Sequence, residues 1–219
     1  MSARNNKRNA AKLPLPVPCA YLRCMTKAIL FIFICLSAVV SSAQSWTADQ
    51  LAAANTAKDI KSLSQTEKEA IQYINLARLY PQLFVNYELN GYTGSLDFPG
   101  SLKNSGYRKS LIKELKTRKP VNALKFDKSM YDLAACFAKE SGKGGWVTHK
   151  RKSCPYGYSA ECCSYCMTTG KDIAMQWLID DGIADMGHRV NCLNGDYSGI
   201  GIAVESHKKY RTCAVADFD

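Results

Sequence analysis

The feature that most constrains the fold of this chain is a change in hydrophobic period along its length. In the first part of the chain, apolar residues recur every three or four positions in several segments, which is typical of amphipathic helices. Near the end, two extended runs at 200–205 and 211–217 are joined by five residues and predict a β-hairpin. Helices followed by strands, without βαβ alternation, indicate an α+β fold built in layers.

Local signals mark where individual helices begin and end. Ser64 and Glu67 have the spacing of a capping box, and the apolar period that follows is broken by Pro81. Asp127 is the expected N-cap of a second amphipathic helix, and residues 170–181 predict a third.

Between these last two helices, the segment 142–166 is rich in glycine and cysteine. We interpret it as a loop because glycine and small polar residues interrupt any apolar period. This predicted loop contains His149 and Glu161, two residues of types that serve as metal ligands or in acid/base chemistry.

Residues 1–43 have the features of a leader and signal peptide. Lys27 precedes an apolar run over 28–40, and small residues follow up to Ala43, after which we expect cleavage. The run is too short for a stable membrane anchor, so we expect none. Because Met25 starts a complete signal peptide by itself, we expect translation to begin there.

The rest of the chain is expected to hold a linker and one domain. Residues 44–63 are rich in Ala, Thr and Lys without a strong apolar period, so we interpret them as a linker before a domain over 64–219. The formal net charge of +10 falls to +4 without residues 1–43, since 23 basic and 19 acidic residues remain. We therefore expect no nucleic-acid partner.

Seven cysteines follow residue 43, and export would make disulfides their default state. Because seven is odd, at least one is free or bonded to another molecule. We expect Cys192 to pair with Cys213 across the hairpin, closing a loop of about twenty residues and contributing roughly 3 kcal/mol. Within the predicted loop 142–166, disulfides are expected to be preferred to a zinc cluster among Cys154, Cys162, Cys163 and Cys166. Adjacent Cys162 and Cys163 should have different partners.

A series of short motifs carries the remaining information. They are Tyr-Ile-Asn-Leu-Ala-Arg-Leu-Tyr-Pro at 73–81, Leu-Lys-Phe-Asp at 124–127, His149, Ala-Glu-Cys at 160–162, Trp-Leu-Ile-Asp at 177–180, and Gly-His-Arg-Val-Asn-Cys-Leu at 187–193. In this order they resemble the CAP superfamily of SCP-like domains, found in cysteine-rich secretory proteins, plant pathogenesis-related proteins and insect venom antigens. The last motif is similar to the Gly-His-Arg-x-Asn motif of bacterial members.

The resemblance implies a three-layer α-β-α sandwich with a central cleft that holds two histidines and two acidic residues. Carried over residue by residue, these are His149, Glu161, Asp180 and His188. It further implies that the two histidines bind Zn²⁺ or another divalent cation, with Glu161 and Asp180 positioning water or the imidazoles. Asp180 stands where the family has glutamate, and the family reads Gly-Glu-Asn where this chain reads Ala-Glu-Cys.

Three functions remain in competition at this point. The first is a secreted binding protein whose cleft takes a divalent cation and a lipid, sterol or other small ligand, with no reaction assigned. The second is a secreted, metal-assisted, peptidase-like hydrolase with Glu161 as general base. The third is a disulfide-rich module that contacts an extracellular protein through its surface. Trp177, Phe137 and Leu178 are interpreted as core residues at helical spacing.

Overall fold

The helical half of the chain begins with two helices that start at capping boxes. The computed structural model describes residues 45–97 and 101–219, so the expected leader, start site and cleavage site lie outside the described residues. Helix α1, Ala48–Ala54, is capped by Thr47, and helix α2, Gln65–Leu79, is capped by Ser64. In each box the hydroxyl of the N-cap residue accepts from the backbone N–H of the third helical residue. The side chain of that third residue accepts from the backbone N–H of the N-cap residue, as the sequence predicts for α2.

The segment 44–63 differs from the linker that its composition predicts. Ala54 and Ala57 are completely buried in the core, and Leu63 is nearly so. The Asn75 side chain on α2 donates to the backbone oxygen of Ala54 at 3.1 Å. Small alanines pack closely without a wide apolar stripe, so this contact leaves no strong period in the sequence.

The remaining elements follow in chain order. They are α3 (Pro81–Phe84), a π-helical turn (Val85–Leu89), a 3-10 turn (Leu102–Asn104), α4 (Gly106–Thr117), β1 (Lys125–Phe126), α5 (Lys128–Gly144), β2 (Ala160–Tyr165), α6 (Gly170–Ile179), α7 (Gly187–Leu193), β3 (Gly199–His207) and β4 (Arg211–Phe218). Asp127 caps α5 as predicted, accepting from the backbone N–H groups of Ser129 and Met130. None of the described helices has the length and apolar character needed to cross a bilayer.

The four strands form one mixed sheet in the order β1-β3-β4-β2. The predicted hairpin is β3 and β4, which pair antiparallel, while β1 lies parallel to β3 and β2 antiparallel to β4. Strand β2 lies within the segment 142–166, which the sequence pattern predicts to be a loop. For Ala160–Tyr165 that prediction is wrong. Its central residues are buried on both faces, so its Cys-Cys-Ser sequence shows no apolar/polar alternation.

Helices cover both faces of the sheet and produce three layers. On one face, Ala203 and Val215 pack with α5 through residues such as Phe137. On the other face, Ile202 and Ala216 belong to the larger core with α2, α6 and α7. The expected α+β class is confirmed, and Trp177 and Leu178 are fully buried as predicted.

The buried cysteines lie on both faces of the sheet. One disulfide joins Cys136 on α5 to Cys154, so Cys154 does not bond within the loop segment as expected. The predicted Cys192–Cys213 bond is wrong, because Cys192 packs in the core on one face and Cys213 on the α5 face. Both are thiols, as are Cys162, Cys163 and Cys166. Two cysteines that lie before a hairpin and on its second strand need not have their side chains on the same face of the sheet.

Candidate functional site

The four residues expected in the cleft come together as two histidine–carboxylate pairs. His149, in the loop after α5, has its Nδ1 2.8 Å from Oε1 of Glu161 on β2. His188, in the first turn of α7, has its Nδ1 2.7 Å from Oδ1 of Asp180. The two imidazole centres are 6.1 Å apart, and the ring planes are tilted by 33°.

Asp180 is positioned by the backbone that links α6 to α7. It caps α6 in a left-handed conformation with φ of 57°, and its side chain is 2% exposed. Its Oδ2 accepts the backbone N–H groups of His188 at 2.9 Å and Arg189 at 3.3 Å. These N–H groups lack partners within α7, so one carboxylate both caps that helix and orients His188.

Glu161 is positioned by a buried ion cluster that none of the sequence motifs predicts. Nη2 of Arg151 donates to Oε2 of Glu161 and to both carboxylate oxygens of Asp217, at 3.0 and 2.8 Å. The guanidinium carbon also lies 4.9 Å from the Phe137 ring centre and 4.4 Å from that of Tyr158. The available sequence signal was Asp217 itself, a charged residue in the otherwise apolar end of the hairpin.

Burial and the shared guanidinium act in opposite directions on the protonation of this cluster. Burial, with a smaller contribution from the nearby Glu161, raises the pKa of Asp217 to about 7 despite the lowering effect of Arg151. Burial lowers the pKa of Arg151, but its bonds to the two carboxylates outweigh this and leave the pKa raised. The hydrogen bond to Glu161 raises the pKa of His149, although partial burial opposes the change.

The two histidines lie on the wall of a cavity of about 440 Å³. The side chain of His149 is 56% exposed and that of His188 is 19% exposed. Most of the remaining wall is apolar and includes Tyr92, Leu102, Val147, Met167, Trp177, Ile179 and Ile183. The indole Nε1 of Trp177 is buried and has no hydrogen-bond partner among the described residues.

Two sets of donor atoms in this site can hold a metal ion. His149, Glu161 and Cys163 form a compact group, with the Cys163 sulfur 3.7 Å from His149 Nδ1 and 3.9 Å from Glu161 Oε1. The second set is the His149–His188 pair, in which each Nδ1 faces a carboxylate and leaves Nε2 for a cation. Both sets fit the chemistry of a divalent transition metal.

The chain is similar to a known protein family and to known structures. The family model described as "CAP: Cysteine-rich secretory protein family" matches residues 71–218. No curated protein matches the chain significantly. Among solved structures, the chain is similar to an outer surface protein from Borrelia burgdorferi, with 17% identity and a TM-score of 0.37 over 45% of this chain and 77% of that one.

Proposed function

This chain belongs to the cysteine-rich secretory protein (CAP) family, and we propose that it is an extracytoplasmic binding protein whose cleft takes one divalent cation, most favourably zinc, between His149 and His188. The observation that carries this proposal is the pairing of each imidazole with its own buried carboxylate. Such a carboxylate fixes the orientation and tautomer of a histidine and increases its basicity as a metal ligand.

The His149–His188 pair is preferred to the group that contains Cys163. Burial raises the pKa of the Cys163 thiol well above its usual value, and the nearby Glu161 adds to this effect, so the thiolate needed for ligation is disfavoured. The Cys163 group would also use Nδ1 of His149, which Glu161 already holds at 2.8 Å. Ligation through Nε2 leaves that hydrogen bond intact.

The cavity supports a second part of the proposal, the binding of a small amphipathic ligand of the lipid or sterol class. Its volume of about 440 Å³ and its apolar wall suit the hydrocarbon part of such a molecule. A cation held by the histidines would attract an anionic or hydroxyl group of the ligand.

The geometry favours binding over hydrolysis. Glu161 is the expected general base of the hydrolase alternative, but its side chain is only 3% exposed. One of its oxygens faces His149 and the other accepts from Arg151. A base that activates water must reach that water, so Glu161 acts here as a support for His149.

Export is the remaining part of the proposal. The Cys136–Cys154 disulfide is of a kind that persists mainly in oxidising compartments. Together with the signal-peptide pattern before Gln44, it supports a secreted or extracytoplasmic location.

Calorimetric titration with zinc chloride tests the cation site. We expect the wild type and Cys163→Ser to bind one equivalent, and the His149→Ala, His188→Ala double variant to lose this binding. Affinity should weaken as the pH falls through the raised pKa of His149, which lies above the usual value of about 6.5, because a protonated imidazole cannot ligate. Loss of binding in Cys163→Ser alone would move the site to the cysteine group. Equal binding by the wild type and the double variant would instead support an interaction module without cleft chemistry.

A further inference from the structure

Two buried thiols lie between the strand and the helix that carry the halves of the cleft. Cys162 follows Glu161 on β2, and its side chain points into the larger core, away from the α5 face. The Cys162 sulfur is 3.7 Å from the backbone oxygen of His188 and 3.8 Å from Nδ2 of Asn191. It therefore contacts two residues of α7 that are about one helical turn apart.

Cys192 is the cysteine on α7, the helix that this sulfur contacts. It lies four residues after His188, so both side chains project from the same face of the helix. Both residues are completely buried in the same core cluster, and the Cys162 sulfur contacts Asn191, the residue before Cys192. Cys163 and Cys213 lie on the opposite face of the sheet, so neither competes for Cys192.

The geometry points to a Cys162–Cys192 disulfide as a covalent modification of the mature protein. Two neighbouring buried thiols can reach a bond of about 2 Å mainly by side-chain rotation. With Cys136 bonded to Cys154, this second bridge would use four of the seven cysteines after residue 43.

The bond forms by exchange with an oxidant of the disulfide class, such as oxidised glutathione. One cysteine thiolate attacks the oxidant, which gives a mixed disulfide and one released thiol. The second thiolate then attacks the mixed disulfide, which forms the protein bond and releases a second thiol. Two electrons pass to the oxidant, and the two cysteine protons end on the released thiols.

The exchange is expected during folding, before the two cysteines become buried. Burial, together with the neighbouring Cys192, raises the pKa of the Cys162 thiol well above its usual value in the folded protein. A protonated, inaccessible thiol is a poor nucleophile, so a protein folded under reducing conditions should oxidise slowly.

The bridge would also affect the cleft, a consequence that rests on the proposed function. It would join the strand that carries Glu161 to the helix that carries His188. The separation of the two histidine–carboxylate pairs would then be fixed by a covalent bond in addition to packing.

Peptide mapping of non-reduced protein tests the bridge. Protein refolded with oxidised and reduced glutathione is denatured, alkylated and digested with trypsin. We expect the peptide of residues 190–208, which holds Cys192, to be linked to that of residues 153–171. Electron-transfer fragmentation of the linked wild-type peptide should assign the bond to Cys162. Alkylated Cys192 in the wild type, or a bond to a different cysteine, would overturn the proposal.

Two matched variants separate the adjacent cysteines independently of fragmentation. Cys163→Ser should keep the link, whereas Cys162→Ser should release Cys192 as an alkylated peptide. The opposite pattern would assign the bond to Cys163 and refute the inference.

Zinc titration of the same samples distinguishes failure of the bridge from failure of the cation site. We expect the Cys162→Ser, Cys192→Ser double variant to bind zinc several-fold more weakly than the oxidised wild type. A mapped bridge without zinc binding would reject the proposed function and leave the bridge in place. Zinc binding with free Cys192 would reject only the bridge.

Discussion

The two histidine–carboxylate pairs have nearly the same inner geometry but are supported in different ways. Asp180 and His188 are eight residues apart, and Asp180 is held by backbone N–H groups of the helix that contains His188. Glu161 is held by Arg151, which also bonds to Asp217, 66 residues further along the chain. One support is local and formed by backbone dipoles, while the other is assembled from distant buried charges.

This difference means that the loss of each support should have a different effect. Removing Arg151 leaves two carboxylates buried without their cation, which is costly. Removing the charge of Asp180 weakens hydrogen bonds, but the buried cation nearby, Arg189, keeps Glu114 and several backbone oxygens as partners. The comparison can therefore be tested with variants that change one support at a time.

The largest effect is expected for Arg151→Met, which leaves Glu161 and Asp217 buried without their shared cation. The unfolding free energy should fall by about 3–5 kcal/mol, the usual cost of breaking a buried ion pair by removing one partner. Urea denaturation measures it. The control is Lys150→Met, in which an exposed neighbour changes in the same way and the free energy should stay within about 0.5 kcal/mol. Equal midpoints for both variants would show that the cluster is not a stabilising support.

A smaller effect is expected for Asp180→Asn. Asparagine accepts the left-handed conformation at this position, so the backbone should be retained. Loss of the charge should lower the unfolding free energy by about 1–3 kcal/mol through weaker bonds to α7. It should also weaken zinc binding by about 10–100-fold through poorer orientation of His188.

Exposed Asp196 provides a matched control for this substitution. Asp196→Asn should change neither urea stability nor zinc affinity. If Asp180→Asn destabilises the fold but binds zinc as the wild type does, Asp180 acts only as a helix cap.

The smallest effect is a change in titration after Glu161→Gln. The hydrogen bond and charge of Glu161 raise the pKa of His149, so the variant should lower that pKa in metal-free protein. Because the folded-state pKa is raised, the pair stabilises the protein fully below about pH 6.5, and this stabilisation is lost as the pH rises through the raised value. NMR titration of the imidazole protons measures the change.

The two histidines serve as controls for each other in that experiment. The ring resonances of His188 should be unchanged in Glu161→Gln, since its partner is Asp180. A His149 pKa that does not move would mean that Glu161 does not orient this ring in solution.

Short-range features of this molecule could be predicted from sequence. The capping box at Ser64 and the N-cap at Asp127 satisfy helix-end N–H groups within a few residues. The hairpin of β3 and β4 follows from two extended runs joined by a short turn. Asp180 and His188, which the family resemblance implies, also meet through a short-range feature, the turn between α6 and α7.

Other features escaped prediction because they depend on contacts between distant segments. Strand β2 exists because β4 supplies its hydrogen-bond partners and helices cover both of its faces. Arg151 could not be assigned to Glu161 and Asp217 until the strands had been placed side by side. The alanines near residue 54 joined the core for the same reason, since α2 provides the surface on which they pack.

The cysteines show the boundary between these two kinds of information most clearly. Sequence alone predicted that adjacent Cys162 and Cys163 have different partners, because a bond between neighbouring cysteines is strained. The strand β2, which the sequence did not predict, then places their side chains on opposite faces. Which partner each one meets was decided only by the layers: Cys162 contacts α7, and Cys163 lies on the α5 face with Cys213. A pattern of residues fixes local backbone direction, but the partner of a buried thiol or charge is whatever the packed layers place within a few ångströms of it.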